Sequence, residues 1–146
     1  MNLLLREETL MVRALLFCAG AALLAGCSAM NPWADENEPK VMTMEVDLQE
    51  RHRCSRISPE ITVHNVPEGT VAFQVRLEET SLPQRILGGG RWANDGSGVI
   101  PEGALTQHYQ GACPQNGVPG KYMYVVAAMG ADGQPLGVRT YSFTQE

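Results

Sequence analysis

Apolar and polar residues alternate over several short stretches of the chain after residue 40. This period of two residues is typical of half-buried β-strands. No stretch in this part repeats its apolar residues every 3.6 positions, as an amphipathic helix requires. The pattern predicts strands over residues 41–48, 60–64, 71–77, 122–128 and 138–143. Short strands separated by turn signals favour an all-β sandwich.

Two of these stretches say more about the core. Residues 122–128 (YMYVVAA) are the most apolar run and predict a central strand with apolar residues on both faces. Residues 71–77 (VAFQVRL) alternate regularly, so one face should be buried while Gln74 and Arg76 face outward. The residues predicted on the buried face are Val71, Phe73, Val75 and Leu77.

Turn-forming residues separate the predicted strands. Pro67 and Gly69 indicate a turn after residue 64, and Asp132-Gly133 indicates another before the last strand. Residues 88–98 contain five of the fifteen glycines, together with Trp92. This composition predicts a glycine-rich loop.

The beginning of the chain has the features of an export signal. Met-Val-Arg from Met11 precedes an apolar run of about a dozen residues, too short to span a membrane. The sequence Leu-Ala-Gly-Cys ending at Cys27 resembles a bacterial lipobox. The resemblance predicts a signal peptide over residues 1–26, with Met11 the favoured start, and a Cys27 that carries acyl chains such as palmitate. The alternative is a plain signal peptide in which Cys27 is incidental.

The address of the mature protein follows from the same region. Ser28 after the acylated cysteine resembles lipoproteins sorted to the outer membrane, so we expect a lipid-anchored envelope protein that faces the periplasm. Residues 27–40 are rich in Pro, Asn and acidic residues and predict a flexible tether; residues 41–146 then form the β-sandwich domain. The net charge of −5 argues against nucleic-acid binding.

Two cysteines, Cys54 and Cys113, remain in the predicted domain. An exported protein permits a disulfide between them, worth about 4 kcal/mol for a loop of this length. Metal binding is a rival interpretation, because His52 lies near Cys54 and His108 near Cys113, but no pair has the Cys-x-x-Cys spacing of a structural zinc site. An unpaired reactive thiol is the third possibility.

Five segments in order resemble the bacterial phosphatidylethanolamine-binding proteins, also called Raf-kinase-inhibitor-like proteins. Cys54 also falls where many members have a cysteine. The segments are SPEI at 58–61, NVPEGT at 65–70, IPEGA at 100–104, YQGACP at 109–114 and YMYV at 122–125. The resemblance implies a β-sandwich with a small anion-binding pocket near one end. The chain turns at Asp132-Gly133 where the family continues into a helical segment, so we expect a fold shortened at its C-terminus.

The same resemblance suggests site residues, with several departures from the family pattern. Acidic residues at 78–79 stand where the family has Asp-Pro-Asp, Arg91-Trp92 stands for its His-Trp pair, and Lys121 lies near the position of a second histidine. Arg91 and Lys121 would bind an anion through charge-assisted hydrogen bonds. The predicted ligand-binding set is Glu79, Arg91, Trp92, Tyr109, Cys113, Pro114 and Lys121.

The sequence offers little for catalysis. Gly96-Ser97-Gly98 lacks the spacing of a nucleophile elbow, and Glu78 and Glu79 occupy adjacent strand positions that face opposite ways. The histidines are His52, His64 and His108, of which His64 is expected on a strand surface. We therefore expect a binding module without enzymatic activity, metal or cofactor. Its partner is a small anionic ligand or headgroup; the alternative is an interaction or structural module of the envelope with a vestigial pocket and a protein partner.

Overall fold

The computed structural model describes residues 40–81 and 84–146, and this part of the chain contains seven β-strands. The predicted signal peptide, Cys27 and nearly all of the tether lie outside the described residues. All five predicted strands are present, and the only helical element described is the 3-10 helix Glu50–His52. The strands are β1 Thr43–Val46, β2 Ile61–His64, β3 Ala72–Glu79, β4 Arg85–Ala93, β5 Val99–Ile100, β6 Gly120–Met129 and β7 Pro135–Gln145.

The strands form two antiparallel sheets. The smaller sheet has the order β1-β2-β5, and the larger has the order β4-β3-β6-β7. In the larger sheet β6 pairs with β3 on one side and β7 on the other, which confirms the predicted central position of the most apolar run. The fold is therefore all-β, as the alternating pattern predicts.

The core lies between the two sheets. Phe73, Val75 and Leu77 alternate along β3 with the exposed Gln74 and Arg76, as predicted. Val71 departs from the prediction, because β3 begins at Ala72 and leaves Val71 at the end of the sheet, 43% exposed. The opposite sheet contributes the buried residues Ile61, Val63 and Ile100 to the same cluster, and β6 contributes Tyr122, Tyr124, Val126 and Ala128.

The prediction of a loop over residues 88–98 is wrong for most of its length. Gly88, Gly89 and Gly90 lie inside β4 with Trp92, and the loop is confined to the residues between β4 and β5. Glycine is needed here because neighbouring backbone comes unusually close. A Cβ atom at Gly89 would lie 2.0 Å from the Val75 carbonyl oxygen, and one at Gly88 would lie 2.4 Å from the His108 carbonyl oxygen.

The predicted turns are confirmed. Gly69 has a φ of +84° in the turn before β3, and the Thr70 N–H donates to the Pro67 carbonyl at 3.3 Å. Gly133 has a φ of +79° in the hairpin between β6 and β7. Both angles lie in the left-handed region that glycine adopts without steric cost.

Candidate functional site

A disulfide joins Cys54 and Cys113, with a Cα–Cα distance of 4.5 Å. Cys54 follows the 3-10 helix, and Cys113 lies in the segment between β5 and β6. The Cys54 N–H also donates to the Ala112 carbonyl at 3.0 Å, so backbone and sulfur atoms both fix this segment. The predicted bridge is confirmed, and these two sulfur atoms are available neither as free thiols nor as metal ligands.

A cleft of about 190 Å³ opens beside the disulfide. Its wall includes Cys113 and Gly111, and the strands β4 and β6 supply Arg85 and Tyr122. The side chains of Gln110, Gln115 and Leu87 complete the lining. The cleft therefore combines a cation, a phenol and amide groups, a set of hydrogen-bond donors suited to a small anion.

The Tyr122 hydroxyl is buried in the wall of this cleft and has no hydrogen-bond partner among the described residues. Burial is the main cause that raises the pKa of Tyr122, and the Glu79 carboxylate raises the pKa further. The nearby Cys113 backbone lowers the pKa of Tyr122 and so offsets part of this rise, but its geometry does not make a hydrogen bond to the hydroxyl. A buried polar group without a partner is uncommon and indicates a place for a ligand or an ordered water.

Gly120 makes room for this hydroxyl. A Cβ atom at Gly120 would lie 2.4 Å from the Tyr122 hydroxyl oxygen, so any larger residue would displace the ring. Gly120 is the first residue of β6, two positions before Tyr122 on the same face of the strand. The sequence places the smallest residue at the one position that would otherwise fill the space around the phenol.

Arg85 is held at the cleft by Glu79. The two residues face each other across β3 and β4, and Arg85 Nε donates to Glu79 Oε2 at 2.9 Å while its Nη2 contacts the same oxygen. Glu79 also pairs with Tyr122 in the register of β3 and β6. Arginine has five N–H donors, of which this ion pair uses two. The carboxylate therefore orients the guanidinium and leaves donors for a ligand.

The structure does not bring Arg91 and Trp92 to this cleft. Arg91 pairs with Gln74 and Trp92 with Phe73, whereas the cleft lies at the Glu79 end of the same strands. Six positions of β4 separate Arg85 from Arg91, which corresponds to roughly 20 Å of extended strand. The physical reason is that residues 85–93 form a strand and not a loop. A loop could fold over the cleft, whereas the extended strand places Arg91 and Trp92 away from it.

The remaining predicted site residues divide between the cleft and other places. Cys113 lines the cleft with Pro114 directly after it, whereas Lys121 lies on the opposite face of β6 from Tyr122. Tyr109 is buried in the core, where its hydroxyl lies 2.5 Å from that of Tyr124. Burial raises the pKa of Tyr109 to about 12, partly offset by this hydrogen bond.

The three histidines lie outside the cleft. His52 is buried and uses both ring nitrogens: Nδ1 accepts from the Gln49 N–H at 3.0 Å, and Nε2 lies 2.8 Å from Glu102 Oε1. His64 is exposed beside Glu45, as its strand position predicts, and His108 is exposed between β5 and β6. His52 therefore connects the 3-10 helix to a neighbouring loop.

Arg85 and Tyr122 are not among the site residues predicted from the sequence. Arg85 lies six residues after Glu79, a spacing that a hairpin turns into a cross-strand ion pair. The glycines that follow Arg85 predict a loop instead and hide this signal. Tyr122 lies in the predicted central strand, but no sequence pattern shows that its hydroxyl has no partner among the described residues.

Within residues 40–81 and 84–146, no group of three or more His, Cys, Asp or Glu side chains is arranged to hold a metal ion. The same described residues include no helix that is long and apolar enough to cross a membrane.

Two facing antiparallel sheets form a β-sandwich with a cleft beside the Cys54–Cys113 bridge, and its fold is similar to that of a solved phosphatidylethanolamine-binding protein (PEBP). The solved structure of E. coli YbcL, described as a new member of the mammalian PEBP family, has this fold. The similarity covers 72% of this chain and 96% of the YbcL chain, with 18% sequence identity and a TM-score of 0.53. The likeness confirms the predicted resemblance at the level of the fold.

Sequence comparisons add nothing to this result. No family model matches the chain, and no curated protein matches it. The likeness is therefore carried by the backbone, as expected when few side chains are shared.

Proposed function

We propose that this protein is a lipid-anchored binding protein of the bacterial envelope, which holds a small anionic ligand or headgroup in the cleft at Tyr122 without catalysing a reaction. The lipobox-like sequence that ends at Cys27 supports a lipid anchor, and the following Ser28 supports a location at the periplasmic side of the outer membrane. The PEBP-type fold supports a binding role, but fold alone does not determine function.

The observation that carries the proposal is the buried Tyr122 hydroxyl beside Arg85, which has no hydrogen-bond partner within residues 40–81 and 84–146. An anion in the cleft accepts a hydrogen bond from the hydroxyl and charge-assisted bonds from the guanidinium. The cost of the unpaired hydroxyl is then recovered on binding. The carboxylate of Glu79 already occupies two donors of Arg85, so the ligand binds to the guanidinium donors that remain free.

The proposal is tested with inorganic phosphate and phosphoethanolamine, measured by calorimetry and thermal stabilisation. Tyr122→Phe should weaken binding about ten- to a hundredfold, because it removes one hydrogen bond to a charged group. It should not lower the stability of the free protein, since the hydroxyl it removes has no hydrogen-bond partner in the part of the chain that the structure describes. Arg85→Gln should weaken binding more than Tyr122→Phe.

Arg91→Gln is the matched control, because Arg91 lies on the same strand far from the cleft. Its affinity should equal that of the unchanged protein. The proposal of this cleft as the binding site is contradicted if neither anion binds. It is also contradicted if Arg91→Gln weakens binding as much as Arg85→Gln does.

The anchor is tested separately at Cys27. Cys27→Ala should abolish incorporation of labelled palmitate and release the protein from the membrane fraction. Retention of label in this variant would exclude the proposed lipidation.

Exposed apolar residues favour a second candidate, an interaction module of the envelope. Leu136 and Val138 are 45% and 46% exposed on β7, which is an edge strand of the larger sheet. Exposed apolar side chains at a sheet edge are a common place for a protein partner. This candidate predicts no stabilisation by phosphate, together with a crosslink from position 136 to an envelope protein that Val138→Asp removes.

A further inference from the structure

A second hollow, of about 560 Å³, lies along β4 between the outward-facing residues of β3 and residues 107–110. Gln74 and Arg76 form one side of this groove, and Gln107 and His108 form the other. Leu87 and Gln110 separate it from the Tyr122 cleft, because they line both. Its volume falls within the range of about 300–1,000 Å³ that is usual for small-ligand sites.

The groove has firm walls. The Gly89 N–H donates to the Gln107 carbonyl at 3.0 Å, and the Gln107 N–H donates back to the Gly89 carbonyl at 2.9 Å. The Gln110 N–H donates to the Leu87 carbonyl at 2.8 Å. His108 between these bonds has a φ of +54°, a left-handed conformation that is strained for a residue with a side chain and is frequent at functional sites.

The floor of the groove is backbone. A Cβ atom at Gly88 or Gly89 would lie within 2.4 Å of a carbonyl oxygen, so no side chain fits there. Ile86 stands beside this floor with 68% of its surface exposed, which is unusual for an isoleucine within a strand. The groove therefore offers a flat polar base and one exposed apolar wall.

Amide side chains supply the chemistry. The groove is lined by Gln74, Gln107 and Gln110. Gln74 Nε2 donates to the Gly90 carbonyl and Gln110 Nε2 donates to the Cys54 carbonyl, both at 3.2 Å, so each amide keeps its oxygen and one N–H for a ligand. Among the described residues none hydrogen-bonds the side chain of Gln107 or His108. An amide donates and accepts at the same time, which matches groups that also do both. The one permanent charge in the lining, that of Arg76, is bonded to Glu78, whose other carboxylate oxygen accepts from Gln84 at 2.8 Å.

These features select the class of ligand. An anion is disfavoured because Arg76, the one permanent cation of this lining, is paired with Glu78, and within the described chain no buried donor without a partner stands beside it, as Tyr122 does beside Arg85. A peptide that adds a strand is disfavoured because the outer backbone groups of Gly89 and Leu87 are already bonded. A lipid chain is disfavoured because the amides and the glycine backbone would lose their hydration. A neutral ligand rich in hydroxyl groups satisfies all three conditions.

We propose that this groove binds a neutral oligosaccharide. The amides of Gln107, Gln110 and Gln74 exchange hydrogen bonds with the hydroxyls, and Ile86 contacts the apolar face of a sugar ring. This site is separate from the anion-binding function proposed for the Tyr122 cleft, and its failure would leave that proposal intact.

The test uses the purified full-length protein in a detergent without a sugar headgroup. N,N′,N″-Triacetylchitotriose and maltotriose, both neutral, are titrated by calorimetry, and chemical-shift changes of the glutamine side-chain amides are followed by NMR. We expect binding of at least one trisaccharide, with shifts at Gln107 and Gln110. Gln107→Ala and Ile86→Ala should each weaken that binding by about fivefold, the effect of removing one hydrogen bond or one apolar contact.

The controls separate this site from others. Gln107 and Ile86 are exposed, so their truncation leaves the fold intact, which thermal unfolding checks. Gln134→Ala changes an exposed glutamine in the distant hairpin and should have no effect, and neither should Tyr122→Phe. The proposal is overturned if neither trisaccharide binds at millimolar concentration, if Gln107→Ala and Ile86→Ala leave affinity unchanged, or if phosphate or a neutral tetra-alanine peptide shifts the Gln107 amide and the sugars do not.

Discussion

Tyrosine hydroxyls in this fold have different surroundings. Tyr109 and Tyr124 share one hydrogen bond in the core, whereas Tyr122 has no partner among the described residues. Burial raises the pKa of Tyr109 to about 12 and that of Tyr124 further above its ordinary range. Both groups are therefore neutral under ordinary conditions, and each is the hydrogen-bond partner of the other.

This pairing has a measurable consequence for stability. Tyr109→Phe or Tyr124→Phe should each lower the free energy of unfolding by about 1–3 kcal/mol, because each leaves one buried hydroxyl unpaired. The double variant should lose less than the sum of the two, since no orphan hydroxyl remains. Denaturant unfolding measures all four proteins, and strictly additive losses would contradict the pairing.

The carboxylate of Glu102 is strongly affected by its neighbours. The Arg51 guanidinium, and after it the His52 ring, lower the pKa of Glu102 from 4.5 to about 2. Its ionised form therefore stabilises the folded protein fully above pH 4.5, and this contribution is lost as the pH falls through about 2.

Glu102→Gln tests this dependence. The variant should be less stable than the unchanged protein at neutral pH, and the difference should shrink as the pH falls from 4.5 to about 2. Melting temperatures over that range give the comparison, with Glu68→Gln in an exposed turn as the control. A difference that stays constant down to pH 2 would show that the ion pair is not its source.

At the scale of elements, β4 shows how close packing of backbone overrides residue preference. Gly89 makes its ladder bonds with β3 on one side and an isolated bridge to Gln107 on the other. Its position leaves no space for a side chain. The glycines of β4 are thus needed for proximity, whereas Gly96 in the following loop has a φ of +92° and nothing within 4 Å of its missing Cβ.

These two glycines should respond differently to a methyl group. Gly89→Ala should lower the free energy of unfolding by about 3 kcal/mol or more, because backbone must move to admit it. Gly96→Ala should cost roughly 1–2 kcal/mol from its backbone conformation alone. Denaturant unfolding distinguishes the two. Equal losses would contradict the close approach of Val75 to Gly89.

The alternation of apolar and polar residues predicted the strands because one face of each sheet is buried and the other is exposed. This rule applies wherever the side chains on the two faces differ in polarity. It located β3 and β7 to within a few residues and placed β6 at the centre of its sheet. It failed at β4, where residues 88–90 have no side chains to alternate. The cause lies elsewhere in the chain: residues 105–109 pack against Gly88 and Gly90, and the β3 backbone at Val75 and Arg76 packs against Gly89.

For the whole molecule, sequence located the bridge but not the cleft. Only Cys54 and Cys113 remain after the predicted processing, so their pairing followed from counting and from the oxidising compartment. The cleft depends on register: Arg85 reaches Tyr122 because β4 and β6 both pair with β3 at Glu79. Register between distant strands is not written in any one segment.

The bridge should contribute strongly to stability. The double variant Cys54→Ser/Cys113→Ser should lower the free energy of unfolding by about 4 kcal/mol, since the bond closes a long loop in the unfolded chain. Denaturant unfolding with and without reductant measures it. The unchanged protein in reductant should match the double variant, and an unaffected reduced protein would refute this role.

The position of the bridge also determines how the fold bears mechanical load. Cys54 precedes β2 and Cys113 follows β5, so the bond encloses four strands across a sequence separation of 59. A force applied between the two ends of the domain is transmitted through the disulfide bond, and not through the chain between Cys54 and Cys113. Stretching the oxidised protein would therefore leave roughly 200 Å of chain unextended. Because β1 pairs with β2 and β6 pairs with β3, such a pull would act first on these two pairings, while the chain between the two sulfur atoms stays closed.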